Sequence, residues 1–199
     1  MSICQVNLKV TGISPLLQNN PQMVDRFNPY ARSMAQINAK KTRRTDDDYR
    51  ELQNIEVRAK IYFDKELGIY IPSTWVTSAI AANSFRVAKI SKADIRGSLF
   101  ACEDRVKLKY DGMERVKSPE DIVGDPTFRT NLTLKQGQVR VVKSAPIFHK
   151  WSFETDLEFD DKQIDPDSVT RILEHASRYG GYGDFRPTFG RATAEVNHV

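Results

Sequence analysis

The groups best suited to chemistry concentrate in one stretch: Tyr179-Gly180-Gly181-Tyr182-Gly183-Asp184-Phe185-Arg186-Pro187-Thr188-Phe189-Gly190-Arg191. Four of the ten glycines fall within it, with four aromatics and two arginines interleaved. Glycine lets backbone approach a ligand closely. Arginine presents a planar fork of donors to phosphate. Aromatic rings offer faces on which unpaired bases stack. Tyr182 and Phe185 are therefore expected to stack bases, and Arg186 and Arg191 to clamp a phosphate backbone. No Gly-Lys-Ser/Thr ends the stretch, and a strand pattern rather than a helix follows it. That excludes mononucleotide and dinucleotide cofactor loops. A tight turn that only closes the fold is the plain alternative.

Charge is distributed unevenly. A net charge of +4 and a pI near 9.0 are only mildly basic, so position matters more than total. Residues 29–45 carry Arg32, Lys40, Lys41, Arg43 and Arg44 and no acid; residues 127–151 carry Arg129, Lys135, Arg140, Lys143 and Lys150, again with no acid. By contrast, 152–167 holds seven acids and one lysine. The first basic segment reads as a mobile arm that covers a single strand. The second reads as a basic hairpin that tracks phosphates and ends on Trp151, a further stacking face. Arg86, Lys89 and Lys92, spaced by three, share a helical face if the helix reaches them. Binding should weaken with salt.

Catalysis has little support. His149, His175 and His198 are scattered, and no carboxylate pair or nucleophile motif accompanies them. Asp46-Asp47-Asp48 follows Thr45 as a helix start, with Asp48 closing a capping box, rather than as a metal site. Cys4 and Cys102 lie far apart in strand patterns and read as small buried hydrophobes. No catalytic residue, metal or cofactor is expected. No leader pattern opens the chain and no run of about 20 apolar residues occurs, so a cytoplasmic location away from membranes is expected.

At 199 residues one domain spanning 1–199 is expected. Alternation predicts strands over 3–10 and 151–159. Helical periodicity predicts helices over about 46–60, 73–89 and 165–178. Residues 11–45 read as extended, 117–127 as loop, and Ser144-Ala145-Pro146 as a bend. A short hairpin is expected around 61–71, a basic one over 128–143, and a closing strand over 192–196. Set apart from an inserted basic arm and helix at about 11–60, the order approaches βαββαβ. The expected class is α+β: a ferredoxin-like or RRM-like antiparallel sheet with helices on one face.

The helix ending Ser177-Arg178-Tyr179, the Gly180–Arg191 loop and the strand after it resemble the close of RAMP-superfamily proteins. These are the RRM-like proteins of CRISPR effector and crRNA-processing complexes. The first strand followed by Gly12-Ile13-Ser14-Pro15-Leu16 suits the same superfamily. The whole chain is also similar to a group of uncharacterised phage and prophage proteins, through segments 13–17, 40–47, 146–151 and 183–191. The RAMP resemblance implies an RRM-like fold in contact with a single strand, RNA in known members. The chain has no clear match to the catalytic histidine of the processing members, so binding without cleavage is expected. A RAMP-like ribonuclease using His149 is the enzymatic alternative. A module that binds itself, or a host or phage protein such as a defence complex, is the third. DNA and RNA are not distinguished.

Overall fold

The opening alternation becomes β1 (Ile3–Gly12), in which Val6, Leu8 and Val10 are fully buried. A turn leads to β2 (Leu16–Leu17). The stretch expected to be extended is largely helical instead. α1 (Pro29–Ala39) starts at Asn28, whose side chain accepts from the Tyr30 amide at 2.9 Å, with Pro29 in the first turn. No residue of α1 is fully buried, so the sequence carried no apolar stripe to announce it. α2 (Asp46–Lys60) begins with the expected capping box: the Asp48 amide donates to Thr45 Oγ1 and the Thr45 amide to the Asp48 carboxylate. The chain then forms the hairpin of β3 (Phe63–Asp64) and β4 (Gly68–Pro72) and enters α3 (Thr74–Ala88), which buries Val76, Ala79 and Ile80.

A short α4 (Lys92–Ser98), capped by Ser91, precedes β5 (Leu99–Ala101) and β6 (Arg105–Lys107). Part of the stretch expected as loop is a one-turn helix, α5 (Pro119–Gly124). The basic hairpin is β7 (Arg129–Gln136) and β8 (Val139–Phe148). The expected bend at Ser144-Ala145-Pro146 is absent: these residues pair in register with Asn131, Thr130 and Arg129. β9 (Ser152–Asp160), α6 (Pro166–His175), a π-helical turn (Ala176–Gly180) and β10 (Ala192–His198) complete the chain. This computed structural model describes residues 3–199.

The central sheet has the order β10-β1-β9-β5, every pair antiparallel. α3 lies between β1 and β5 in sequence and α6 between β9 and β10, and the two helices pack on each other. The fold is therefore α+β with the ferredoxin-like arrangement. Two insertions decorate it. The first, between β1 and α3, holds the α1–α2 arm, and the second, between β5 and β9, holds the basic hairpin. β2 pairs with β8, and β4 with β6, in two further three-stranded sheets.

α2 fixes the hairpin through a buried ion pair. Lys60 Nζ lies 3.1 Å from Glu56 and donates to the Ser144 carbonyl at 2.7 Å, while the Ser144 amide donates to the second Glu56 oxygen at 2.8 Å. Both side chains are about nine-tenths buried. Removing one partner leaves a buried charge uncompensated, at a cost of about 3–5 kcal/mol.

Candidate nucleic-acid interface

The glycine-rich loop is built by close backbone contact with the β1–β2 turn. Gly190 (φ 75°) donates to the Pro15 carbonyl at 2.8 Å, and a Cβ there would overlap the Tyr182 carbonyl oxygen. At Gly183 (φ 76°) a Cβ would collide with the Leu17 carbonyl, which accepts from the Asp184 amide at 3.0 Å. Two of these glycines therefore serve chain-to-chain approach rather than a ligand. Phe185 and Phe189 turn inward onto Leu17, Leu132, Ala145 and Ile147. This small apolar cluster welds the loop to the base of the β7–β8 hairpin. It leaves Arg186 and Arg191 exposed beside that hairpin.

The structure corrects several expected roles. Trp151 is 1% exposed; its Nε1 donates to the Ser14 carbonyl at 2.8 Å and its ring stacks near Phe153, so it is core and presents no face to a base. Tyr182 is fully buried, edge-on to Trp151 and Phe153, with its hydroxyl 2.7 Å from Ser177 Oγ. Burial pushes that phenol up to about 12. Phe185 is half-buried in the loop–hairpin cluster and not free to stack. Arg129 is spent on structure, donating to Asn54 Oδ1 at 2.9 Å and to the Val123 carbonyl at 3.1 Å.

The expected mobile arm is a folded helical hairpin, and part of its charge is engaged. Lys40 pairs with Asp48, whose carboxyl is held below the usual carboxylate range chiefly by that hydrogen bond. Arg44 donates to Asn38 and to the Lys41 carbonyl and lies over the Tyr49 ring. Lys41 and Arg43 are exposed on the turn between the helices. On the hairpin, Lys135 and Arg140 face each other in register near its tip and are exposed. Lys143 lies 3.5 Å from Glu56, and Lys150 3.5 Å from Asp111.

Two aromatic rings beside the loop are open to solvent: Phe85 and Tyr179 are 63% and 64% exposed. Phe85 sits on α3 with Lys89 Nζ over its ring, one residue before Arg86. Tyr179 follows Arg178 in the π-helical turn, and with Val87, Arg171 and Glu174 these two line a shallow groove. A second groove runs between Ala82 and Asn83 of α3 and Gly180, Asp184, Arg186 and Pro187 of the loop. The loop thus packs on the hairpin base and shares one groove with α3, and the π-helical turn lines the other with Val87 of α3. The sequence carried a signal for the open and the buried rings: Phe85 falls off the Val76–Ala79–Ile80 face of α3. Trp151 falls in phase with Phe153, Leu157 and Phe159 on the buried face of β9.

The open face of the central sheet is different. Period-two alternation turns Asn7, Lys9, Glu154, Asp156, Glu158 and Glu195 away from the helices. Asn7 donates to Asp156 at 2.8 Å, and Lys9 lies 3.8 Å from Glu195. RRM-type proteins stack bases on this face; here carboxylates occupy it.

Two histidines have structural neighbours: His198 Nε2 lies 2.9 Å from Thr170 Oγ1, and His175 packs against the Tyr179 ring. His149 is exposed on the turn after β8. Among the described residues no cluster could hold a metal ion, and no helix is long and apolar enough to cross a membrane.

This fold is similar to that of a chain in the cryo-EM structure of the type III-B Cmr-beta complex bound to cognate target RNA. The TM-score is 0.58 at 8% identity, over 99% of this chain and 61% of that one. The protein thus spans about 61% of that chain's length. Cmr6 from Pyrococcus furiosus gives a TM-score of 0.35 at 10% identity, over 98% of this chain and all of Cmr6, too low a superposition to carry an argument. No family model matches the sequence, and no curated protein does. The Cmr-beta likeness is one of fold alone.

Proposed function

We propose that the protein binds single-stranded nucleic acid without cleaving it, along the surface formed by the β7–β8 hairpin, the glycine-rich loop and the end of α3. One observation carries this reading. The loop–hairpin apolar cluster sets the glycine-rich loop against the basic hairpin, a groove joins that loop to α3, and carboxylates line the open sheet face. Lys135, Arg140, Arg186 and Arg191 track phosphates, Arg86 and Lys89 extend the track, and Tyr179 and Phe85 stack bases. Lys41 and Arg43 supply the cationic end of the arm. The likeness to a chain of an RNA-bound complex makes RNA the first ligand to try. A phage or prophage source and a cytoplasmic site of action go with this reading and rest on the sequence resemblance.

Fluorescence anisotropy with single-stranded RNA, single-stranded DNA and duplex across a salt series tests it. With about six phosphate contacts, log K should fall with log salt at a slope near −4. Absence of binding to any of the three at low salt sinks the proposal and leaves a protein-docking module as the remaining reading. Labelled RNA incubated with wild type and His149→Ala tests the non-enzymatic part. Cleavage by the wild type that the variant loses would overturn it.

A further inference from the structure

The groove between α3 and the glycine-rich loop has a volume of about 430 Å3, within the range of small-ligand sites. Asn83 lines it from α3, and Asp184, Arg186 and Pro187 line it from the loop. Asn83 is fixed by its own helix, donating one amide hydrogen to the Ala79 carbonyl at 2.8 Å. Its second amide hydrogen has no acceptor among the described residues. A Cβ on Gly180 would lie 2.7 Å from Asn83 Nδ2, so bare backbone there leaves the carboxamide its place. On the other wall, Asp184 Oδ1 accepts from the Phe185 amide at 3.0 Å. Among the described residues the Asp184 carboxylate forms no ion pair. A carboxylate has roughly four acceptor positions, so most of its capacity stays open. Asp184 is the one acid between Gly180 and Arg191, and it repels the phosphates that Arg186 and Arg191 attract. A carboxylate in that place is at odds with a phosphate track unless it meets a donor-rich group instead.

One base supplies such a group. Guanine carries two adjacent donors on its Watson–Crick edge, N1–H and the N2 amino group, and they match the two oxygens of one carboxylate. Adenine and cytosine each set an amino donor beside a ring-nitrogen acceptor. Uracil and thymine set one N–H between two carbonyls. Each of these turns an acceptor toward the second carboxylate oxygen. Guanine's other edge, O6 and N7, is all acceptor, which suits the free amide hydrogen of Asn83. We propose that this groove is a guanine-reading subsite for an unpaired base of the bound strand. The inference rests on the strand-binding reading above and adds a base preference to it. Asp184 accepts from N1–H and the N2 amino group, and Asn83 donates to the O6 and N7 edge. The exposed Pro187 ring flanks the base, and Arg186 holds the adjoining phosphate.

Oligouridine strands of about ten nucleotides, each with one central guanine, adenine, cytosine or inosine, test this by fluorescence anisotropy at low salt, as RNA and as DNA. The guanine strand should bind about tenfold more tightly than the adenine and cytosine strands. Inosine keeps N1–H and lacks the N2 amino group, so it should fall about fivefold short of guanine. That arm needs no protein variant. Asp184→Asn keeps an oxygen for the Phe185 amide and turns the second acceptor into a donor. It should abolish the guanine preference and bind the all-uridine strand at least as tightly as the wild type, because one repelling charge is gone. A merely structural role for Asp184 would weaken every strand alike. Arg140→Glu on the hairpin should weaken every strand and keep the preference. Equal binding of the guanine, adenine and cytosine strands, or a preference for another base, overturns the inference and leaves the strand-binding reading standing. So does a guanine preference that inosine matches or that Asp184→Asn retains. Absence of binding to all of the strands defeats the strand-binding reading itself, and this inference with it.

Discussion

The two sides of the central sheet make opposite offers to a polyanion. On the helix side, α3 and the loop beside it expose Arg86, Lys89, Arg178 and Arg186 with the rings of Phe85 and Tyr179. The open side presents Glu154, Asp156, Glu158 and Glu195 around Lys9. In the RRM plan the open side is the binding surface; under the proposed function this chain would keep the fold and move the site. The difference teaches that a likeness of backbone carries the scaffold and not the place of contact. Two insertions, which a βαββαβ core does not need, add the basic hairpin and the arm beside the core's own α3 and glycine-rich loop.

That contrast can be broken in several ways. The largest effect should come from reversing the basic side: Lys135→Glu, Arg140→Glu and Arg186→Glu together should weaken single-strand binding at least about a hundredfold and flatten the salt slope by about 2. Unchanged anisotropy would move the site elsewhere. Next come the rings. Phe85→Ala and Tyr179→Ala should each cost about 1–3 kcal/mol of binding to an unstructured strand, with no loss of thermal stability because both are exposed. Tyr182→Phe should do the reverse, lowering stability in a denaturant melt by about 1 kcal/mol and leaving affinity alone, since its hydroxyl serves Ser177 in the core. Smallest of all, Glu158→Lys on the open face should change affinity by less than about twofold at physiological salt, where separated charges are screened. A large gain there would return the site to the open sheet.

Much of the scaffold was legible because it obeys one-dimensional periodicities. β1 and β9 alternate cleanly, and α2 and α6 announce themselves by Thr45–Asp48 and Asp165-Pro166. α4 and α5 were missed because they are too short to show a period, and α1 because it fully buries no residue. The basic segments could be read, but their state of engagement could not. Whether Arg129 meets solvent or Asn54, or Lys40 meets Asp48, depends on partners 75 and 8 residues away. The aromatics were assigned by neighbourhood, and here neighbourhood misleads. Trp151 and Tyr182 sit beside lysine and glycine in sequence yet fill the core, while Phe85 and Tyr179, on and after regular helix, face outward.

The central sheet also sets a timetable for the chain's birth. β1 takes one neighbour from β9 and the other from β10, with Val6 opposite Leu157 and His198. Emerging from the ribosome, this apolar strand meets neither neighbour until more than 140 further residues have been made. Pairings of such long sequence separation form slowly. Meanwhile Val6, Leu8 and Val10 stay uncovered, an invitation to chaperones or to premature self-association. The β3–β4 hairpin and the pairing of α1 with α2 are local and can settle in the interval, before α2 meets Ser144 of β8. The elements that decorate the core would then be in place before the core itself closes.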